Sequence, residues 1–222
     1  MTKNNHEILI CGAGMIGLTF ALLMAKKRIN VCIIDKNSKK SLFEQKDTRT
    51  TAVSQGSHRI YKEIEIWNKI RHKVQPINQI LVSEGSGSSD IEFDHRSLQE
   101  GPLGFIIENK IIKQELLKKV LSSKYISFRE KTEVHEIENK NINCSFVKTN
   151  RKIFNFRLLV AADGRFSKTR YQADIKYLFH DYEQKAYVFN ISHQEKHRSI
   201  ALERFFSTGP MALLPMQCSN EK

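Results

Sequence analysis

The chain is short of the residues that staple or punctuate small folds. Its 222 residues include four cysteines, four prolines and a single tryptophan. The cysteines, at 11, 32, 144 and 218, form no CxxC pair and no Cys/His spacing suited to zinc. A disulfide scaffold and a zinc module are thereby excluded. Cys11 and Cys32 fall in apolar segments, where cysteine behaves as a small hydrophobe, and a reducing compartment follows as the simpler inference. No apolar run approaches the roughly 18–20 residues of a membrane span; the stretch Leu18 to Ala25 spans eight and already includes Thr19. The opening MTKNNHEILICG has no long apolar stretch before a cleavage site, so it reads as no secretory signal. Acidic side chains are the scarcer sign, 24 against 36 basic, which leaves a net charge of +12. The lysines are spread along the chain rather than gathered into an arm. That argues against nucleic acid and for solvated faces, with weak attraction to an acidic membrane surface as the alternative. With 40% hydrophobic and 27% charged residues the chain reads as globular, of a size for one large domain or two small ones.

The first 35 residues are the best-defined stretch. Glu7 to Cys11 has strand length and is followed by Gly12-Ala13-Gly14-Met15-Ile16-Gly17 and by the helix formers Leu18 to Ala25. Lys26, Lys27 and Arg28 close that helix where positive charge suits its dipole, and Asn30 is placed to take the left-handed cap. Val31 to Ile34 is a second buried strand, ending in Asp35. This is a βαβ unit. Gly12 permits the tight turn, Gly14 allows close approach of a pyrophosphate, and Gly17 allows helix and strand to pack closely. Asp35, 18 residues past Gly17, stands where its carboxylate can accept ribose hydroxyls. The fingerprint points to an adenine dinucleotide and does not by itself separate FAD from NAD.

Beyond it, the pattern predicts a helix over 57–72 and strands over 77–82 and 91–94, with a glycine-serine loop at 85–89 between them. A helix over 109–121 follows, with Ile112, Leu116, Leu117 and Val120 at helical spacing. Strands are predicted near 125–128, 131–137 and 142–148, with a turn at 139–143. A buried strand over 156–162 runs into Asp163-Gly164, and a short helix covers 167–171. Half-buried strands are expected over 184–193, 199–206 and 211–215. Trp67 is expected in the core. His193 and His197 share an i, i+4 spacing in a strand-like or loop region, which argues against a metal pair.

Leu158 to Arg170 delivers an acid and a glycine from a buried strand, with a hydroxyl and an arginine one helical turn on. Here the sequence resembles the flavoprotein aromatic hydroxylases, in which this Asp-Gly lies close to the flavin pyrophosphate. Three further stretches narrow the resemblance to the FAD-dependent ubiquinone-biosynthesis hydroxylases. Asp47 to Ser54 is similar to their D-x-R-x-x-A-x-S segment, whose arginine (here Arg49) lies near the flavin. Leu103 to Asn109 is similar to L-G-[YF]-x-x-E-N, and Gly209 to Pro215 to the G-P-x-A-x-L-P strand of the substrate sheet. Read singly, Arg49 is a solvated loop charge, Glu108-Asn109 a helix cap and Gly209-Pro210 a turn. Members also carry a second Gly-Asp motif past that strand. The present sequence ends at Lys222, seven residues after Pro215, so a chain truncated at its C-terminus is expected.

The resemblance implies an α/β fold: a Rossmann-like FAD-binding domain over about 1–75 and 100–175, with an inserted, mostly antiparallel substrate sheet from 76–99 and 176–222. It assigns Gly12, Gly14, Gly17, Asp35, Arg49, Asp163 and Gly164 to FAD and no residue to a metal. It further implies NAD(P)H as co-substrate, with O2 supplying one oxygen atom to the ring of a polyprenylated phenol. Ser/His/Asp, Cys/His and paired-carboxylate constellations do not appear in usable form, which fits a reaction run by its cofactor, and no catalytic residue is named. A cytoplasmic protein is expected, peripheral on the inner face of the membrane or held by other ubiquinone-biosynthesis proteins. The alternatives are a non-catalytic remnant and another FAD-dependent oxidoreductase.

Overall fold

A computed structural model describes residues 5–85, 91–97, 101–139 and 145–217. In chain order it has β1 (Asn5–Cys11), α1 (Met15–Lys26), β2 (Val31–Ile34) and α2 (Lys39–Glu44). Next come β3 (Thr50–Ser54), α3 (Gln55–Glu63), α4 (Trp67–Ile70), β4 (Gln75–Ile77), β5 (Gln79–Glu84), β6 (Ile91–Asp94) and β7 (Gly104–Glu108). Helix α5 (Asn109–Ser122) leads to β8 (Ile126–Arg129), β9 (Val134–Asn139), β10 (Ser145–Thr149) and β11 (Ile153–Ala161). The last elements are α6 (Lys168–Gln172), β12 (Ile200–Phe206) and β13 (Gly209–Leu213). The chain divides into two compact units, Met1–Lys46 with Ile112–Tyr187, and Asp47–Ile111 with Val188–Lys222.

The first unit is built on a six-stranded sheet of order β8-β2-β1-β11-β10-β9. Strands β8, β2, β1 and β11 are parallel, and β10 and β9 continue antiparallel. A parallel strand covered on both faces needs a continuous apolar run, and all four residues of β2 are buried. Leu9, Cys11, Cys32, Ile34, Val147 and Phe154 form one core cluster. Helix α1 buries Gly17, Leu18, Ala21, Leu22 and Ala25, the stripe that three- and four-residue spacing puts on one face. Each large side chain so buried contributes about 1.5–3 kcal/mol before its ordering cost.

In the second unit β3-β7-β4 form a three-stranded antiparallel sheet. A four-stranded sheet has the order β13-β12-β5-β6, antiparallel except where β12 and β5 run parallel. Ile77, Ile106 and Ala201 make the core between these strands, with Ile80, Leu103 and Met216 packed against it. Beside them the His58 ring lies 4.0 Å from Trp67 and 4.8 Å from Phe105, centroid to centroid. Trp67 is buried, as its apolar helix face predicts.

The α/β class, the βαβ start and most strands are as the sequence pattern predicts. Five expectations need correction. The strand expected as buried over 156–162 is β11, which has only Phe154 buried and leaves Leu158 half-exposed. The 57–72 helix is two, because Glu65 adopts a left-handed φ of 56° and closes α3 with Ile66 N–H on Tyr61 O and Glu65 N–H on Lys62 O. Likewise Arg28 (φ 61°), not Asn30, closes α1, with Ile29 N–H on Met24 O and Arg28 N–H on Ala25 O. Both ends are Schellman motifs built without the usual glycine. The 77–82 strand is split between β4 and β5, which serve different sheets. Finally, the 184–193 strand is absent: residues 175–193 carry no regular element and are exposed. The glycine-serine loop lies outside the described residues except for Gly85, as does the 139–143 turn except for Asn139. No helix among the described residues is long and apolar enough to cross a membrane.

Candidate dinucleotide-binding site

Strand β1 ends in a turn that side chains could not make. Gly12 has φ +109°, and a Cβ there would stand 2.3 Å from the carbonyl oxygen of Ala162. A Cβ on Gly17 would stand 2.1 Å from Gly12 O and 3.2 Å from the Ala162 Cβ. Gly14 differs: it caps α1 at an ordinary φ of −74°, and a Cβ on it would meet nothing within 4 Å. Two of the glycines are thus required by the packing of the chain on itself. The third leaves open space at the mouth of a helix. No side chain caps α1 and its first turn holds no acid, while the first helical bond runs from Leu18 N–H to Gly14 O at 3.0 Å. The N–H groups of Met15, Ile16 and Gly17 therefore precede any helical acceptor and carry the positive end of the dipole. These residues fit a pyrophosphate.

Asp35 follows β2, its backbone held by Asp35 N–H on Arg129 O (3.0 Å) and Thr132 N–H on Asp35 O (2.8 Å). Its Oδ2 accepts from Ala13 N–H and its Oδ1 from Asn37 N–H, both at 2.7 Å. The carboxylate therefore fixes the middle of the glycine turn, and each oxygen retains a lone pair for a hydroxyl.

Asp163 follows β11 and arrives directly over Gly12, with Ala162 N–H on Cys11 O at 2.8 Å. Its Oδ1 accepts from Ser167 Oγ, and its Oδ2 accepts from Thr169 N–H (3.0 Å) and Thr169 Oγ1 (2.9 Å). Ser167 Oγ in turn accepts from Arg170 N–H at 2.9 Å. The acid thus closes the first turn of α6. Burial works to raise its pKa, but the hydrogen bonds from Ser167 and Thr169 outweigh it and the net shift is downward. Gly164 has φ +93° and open space where a Cβ would be. Below it the Cys11 thiol is pushed up to about 12 by burial, against the pull of the Thr169 hydroxyl, and is inert at neutral pH.

Arg49 belongs to the second unit. It grips Asp47 through Nε to Oδ1 and Nη2 to Oδ2, both at 2.8 Å, and its own N–H also donates to Oδ1. That guanidinium holds the Asp47 carboxyl well below the usual carboxylate range, while the Arg49 side chain remains 66% exposed. The D-x-R and E-N segments pair as neighbouring strands, Thr50 opposite Glu108 through Ser54 opposite Gly104. Sequence reasoning places Asn109 as a helix cap, yet its amide reaches Asp47 and Thr51. Nothing in the local pattern signals that, because the partners lie 62 and 58 residues away. His197 Nδ1 accepts from Ser199 N–H at 3.0 Å, a local turn contact.

A parallel βαβ sheet whose glycine turn opens a bare helix N-terminus beside a fixed acid defines a dinucleotide-binding domain of the Rossmann type. The chain belongs to the FAD binding domain family, whose profile matches residues 5–218. It is 29% identical over 211 residues to the ubiquinone hydroxylase UbiL of Rhodospirillum rubrum, covering 95% of this chain and 49% of the relative. Against the ubiquinone hydroxylase UbiM of Neisseria meningitidis the figures are 30% over 219 residues, 96% and 48%. The chain thus spans about half the length of the curated relatives it matches. Among solved structures, PqsL of Pseudomonas aeruginosa in complex with 2-aminobenzoylacetate superposes with a TM-score of 0.78 at 15% identity, over 97% of this chain and 59% of that one. That likeness is one of fold.

The glycines separate packing from binding. Gly17→Ala should destabilise the first unit by about 2–4 kcal/mol, read as a lowered Tm. Gly14→Ala should change stability by less than about 1 kcal/mol, and if the open helix mouth takes a pyrophosphate its methyl should weaken FAD binding. A Gly14→Ala protein that binds FAD like the parent would remove that role. For Asp163, the lowered folded pKa means its stabilisation is complete above the ordinary Asp value of 3.8 and is lost as pH falls through the folded value. Asp163→Asn should cost about 1–2 kcal/mol at neutral pH and flatten the acid limb of stability against pH, measured by urea melts.

Proposed function

We propose that this chain is the FAD-holding part of a flavin-dependent monooxygenase that hydroxylates the ring of a polyprenylated phenol in ubiquinone biosynthesis, using NAD(P)H and O2. The observation that carries the proposal is the meeting of the glycine turn with the Asp163-Gly164 turn over one open helix mouth. The names of its relatives supply the reaction class. When bound, FAD would accept hydride from NAD(P)H and activate O2 for transfer of one oxygen atom. The chain's own residues position it. Gly14 and the first N–H groups of α1 would take the pyrophosphate, and Asp35 would accept the ribose hydroxyls. Gly164, held open by the Asp163 cap, would pass its backbone close to the ligand, and Arg49 would present its charge to the flavin side. Residues 1–75 and 100–175 would form the FAD domain and 76–99 with 176–222 the substrate sheet. In support, the six-stranded sheet draws only on the first set and the four-stranded sheet only on the second.

A second reading, a dinucleotide-binding module without catalysis, is favoured by the exposed Tyr177, Leu178, Phe179, Tyr187 and Phe189, an apolar stretch left in water. The two divide on one experiment. The purified chain is incubated with FAD, desalted, and its visible spectrum recorded. Retained bands near roughly 370 and 450 nm, followed by NAD(P)H consumption that rises with a prenylated phenol, are expected. Colour without phenol-dependent consumption supports the module, and a colourless protein overturns FAD binding by this chain.

A polyprenylated substrate partitions into lipid, and the +12 charge favours an acidic surface, so the proposal includes peripheral attachment to a membrane. Co-sedimentation with anionic vesicles at low salt, released by high salt, is the expected result. Equal recovery in the supernatant with and without vesicles would count against it.

A further inference from the structure

Asn109 touches the 47–51 segment at three separate places. Its backbone N–H donates to Arg49 O at 3.0 Å. Its amide Nδ2 donates to Asp47 Oδ2 at 3.3 Å, and its Oδ1 accepts from Thr51 Oγ1. The residue is 8% exposed, so these bonds are shielded from competing water. Because Asp47 Oδ2 is also the oxygen gripped by Arg49 Nη2, the amide fixes the plane of the carboxylate that fixes the guanidinium. Of the five guanidinium donors, Nε–H and one Nη2–H are spent on Asp47. The Nη1 edge has no partner among the described residues, and the side chain stands two-thirds in solvent. A fork held on one edge and open on the other suits a planar or phosphate anion. Without the clamp, the same arginine would sample many rotamers and pay their entropy on binding.

We infer that Asn109 is a positioning residue, which acts through Asp47 to hold the free edge of Arg49 open for an anionic group. The inference rests on the proposed FAD reading for Arg49 and goes beyond it by naming what holds that arginine.

The test is a double-mutant cycle of Asn109→Ala and Arg49→Ala, read as the FAD dissociation constant from flavin fluorescence. It is joined by the 15N NMR signal of the Arg49 Nε–H. Asn109→Ala should weaken FAD about tenfold when Arg49 is present and less than about twofold when it is absent, with the protected Nε–H signal broadened or lost. An equal loss in both backgrounds would show that Asn109 merely supports the fold and would overturn the inference. If Arg49→Ala leaves FAD affinity unchanged, or the parent chain binds no FAD, the cofactor reading of Arg49 fails on its own. The holding of Arg49 by Asn109 is then decided by NMR alone: an Nε–H signal as sharp in Asn109→Ala as in the parent overturns the clamp, and a lost signal upholds the clamp without its cofactor role. Should Asn109→Ala melt the second unit, Thr51→Val replaces it in the same cycle. That change frees the amide without removing it, and a smaller loss that still depends on Arg49 is expected.

Discussion

The first unit depends on a backbone contact that tolerates no side chain, the seating of Gly12 against the Ala162 carbonyl. It brings the end of β1 and the end of β11 to the same height, so that two turns some 150 residues apart face one opening. The parallel register of β1 with β2 and β11 then aims all three strand ends the same way. A crevice outside the carboxyl ends of parallel strands is where open α/β sheets hold their ligands. Asp35 and Asp163 each give oxygens to the frame of that crevice, the one to the glycine turn and the other to α6. Acid chemistry and turn geometry are therefore the same feature seen twice.

The second unit repeats that logic with side chains in place of glycine. Its D-x-R segment is held by a strand pair, and the arginine by a carboxylate that answers to a distant amide. In both units a segment with local sequence character gets its final geometry from a residue far along the chain.

What could be read in advance follows the same division. The glycine turn and Asp35 were legible because their spacing is local and each has a mechanical reason, whereas Asp163 was marked only by the family resemblance. The buried run of β2 and the stripe of α5 were legible from period and composition, whereas β11 was legible as a strand but not in its exposure, which is set by what covers the sheet. Strands β3 and β7 were not, because β3 is polar and short and only its pairing makes it a strand. The failure over 184–193 is the converse, since alternation suited to a strand found no partner to pair with. The split of 57–72 turned on Glu65 taking a left-handed conformation that its residue type does not advertise. Asn109 was visible as part of a motif but not in its role, because a side-chain bond across 62 residues leaves no periodic trace.

The lone indole has an optical consequence. Trp67, tilted against His58 and edge-on to Phe105, is the chain's one tryptophan and lies within the second unit. Its emission therefore speaks for that unit alone and is silent on the six-stranded sheet. Loosening of the two halves can be told apart in one sample, by comparing the colour of the indole with the far-ultraviolet signal of the whole backbone.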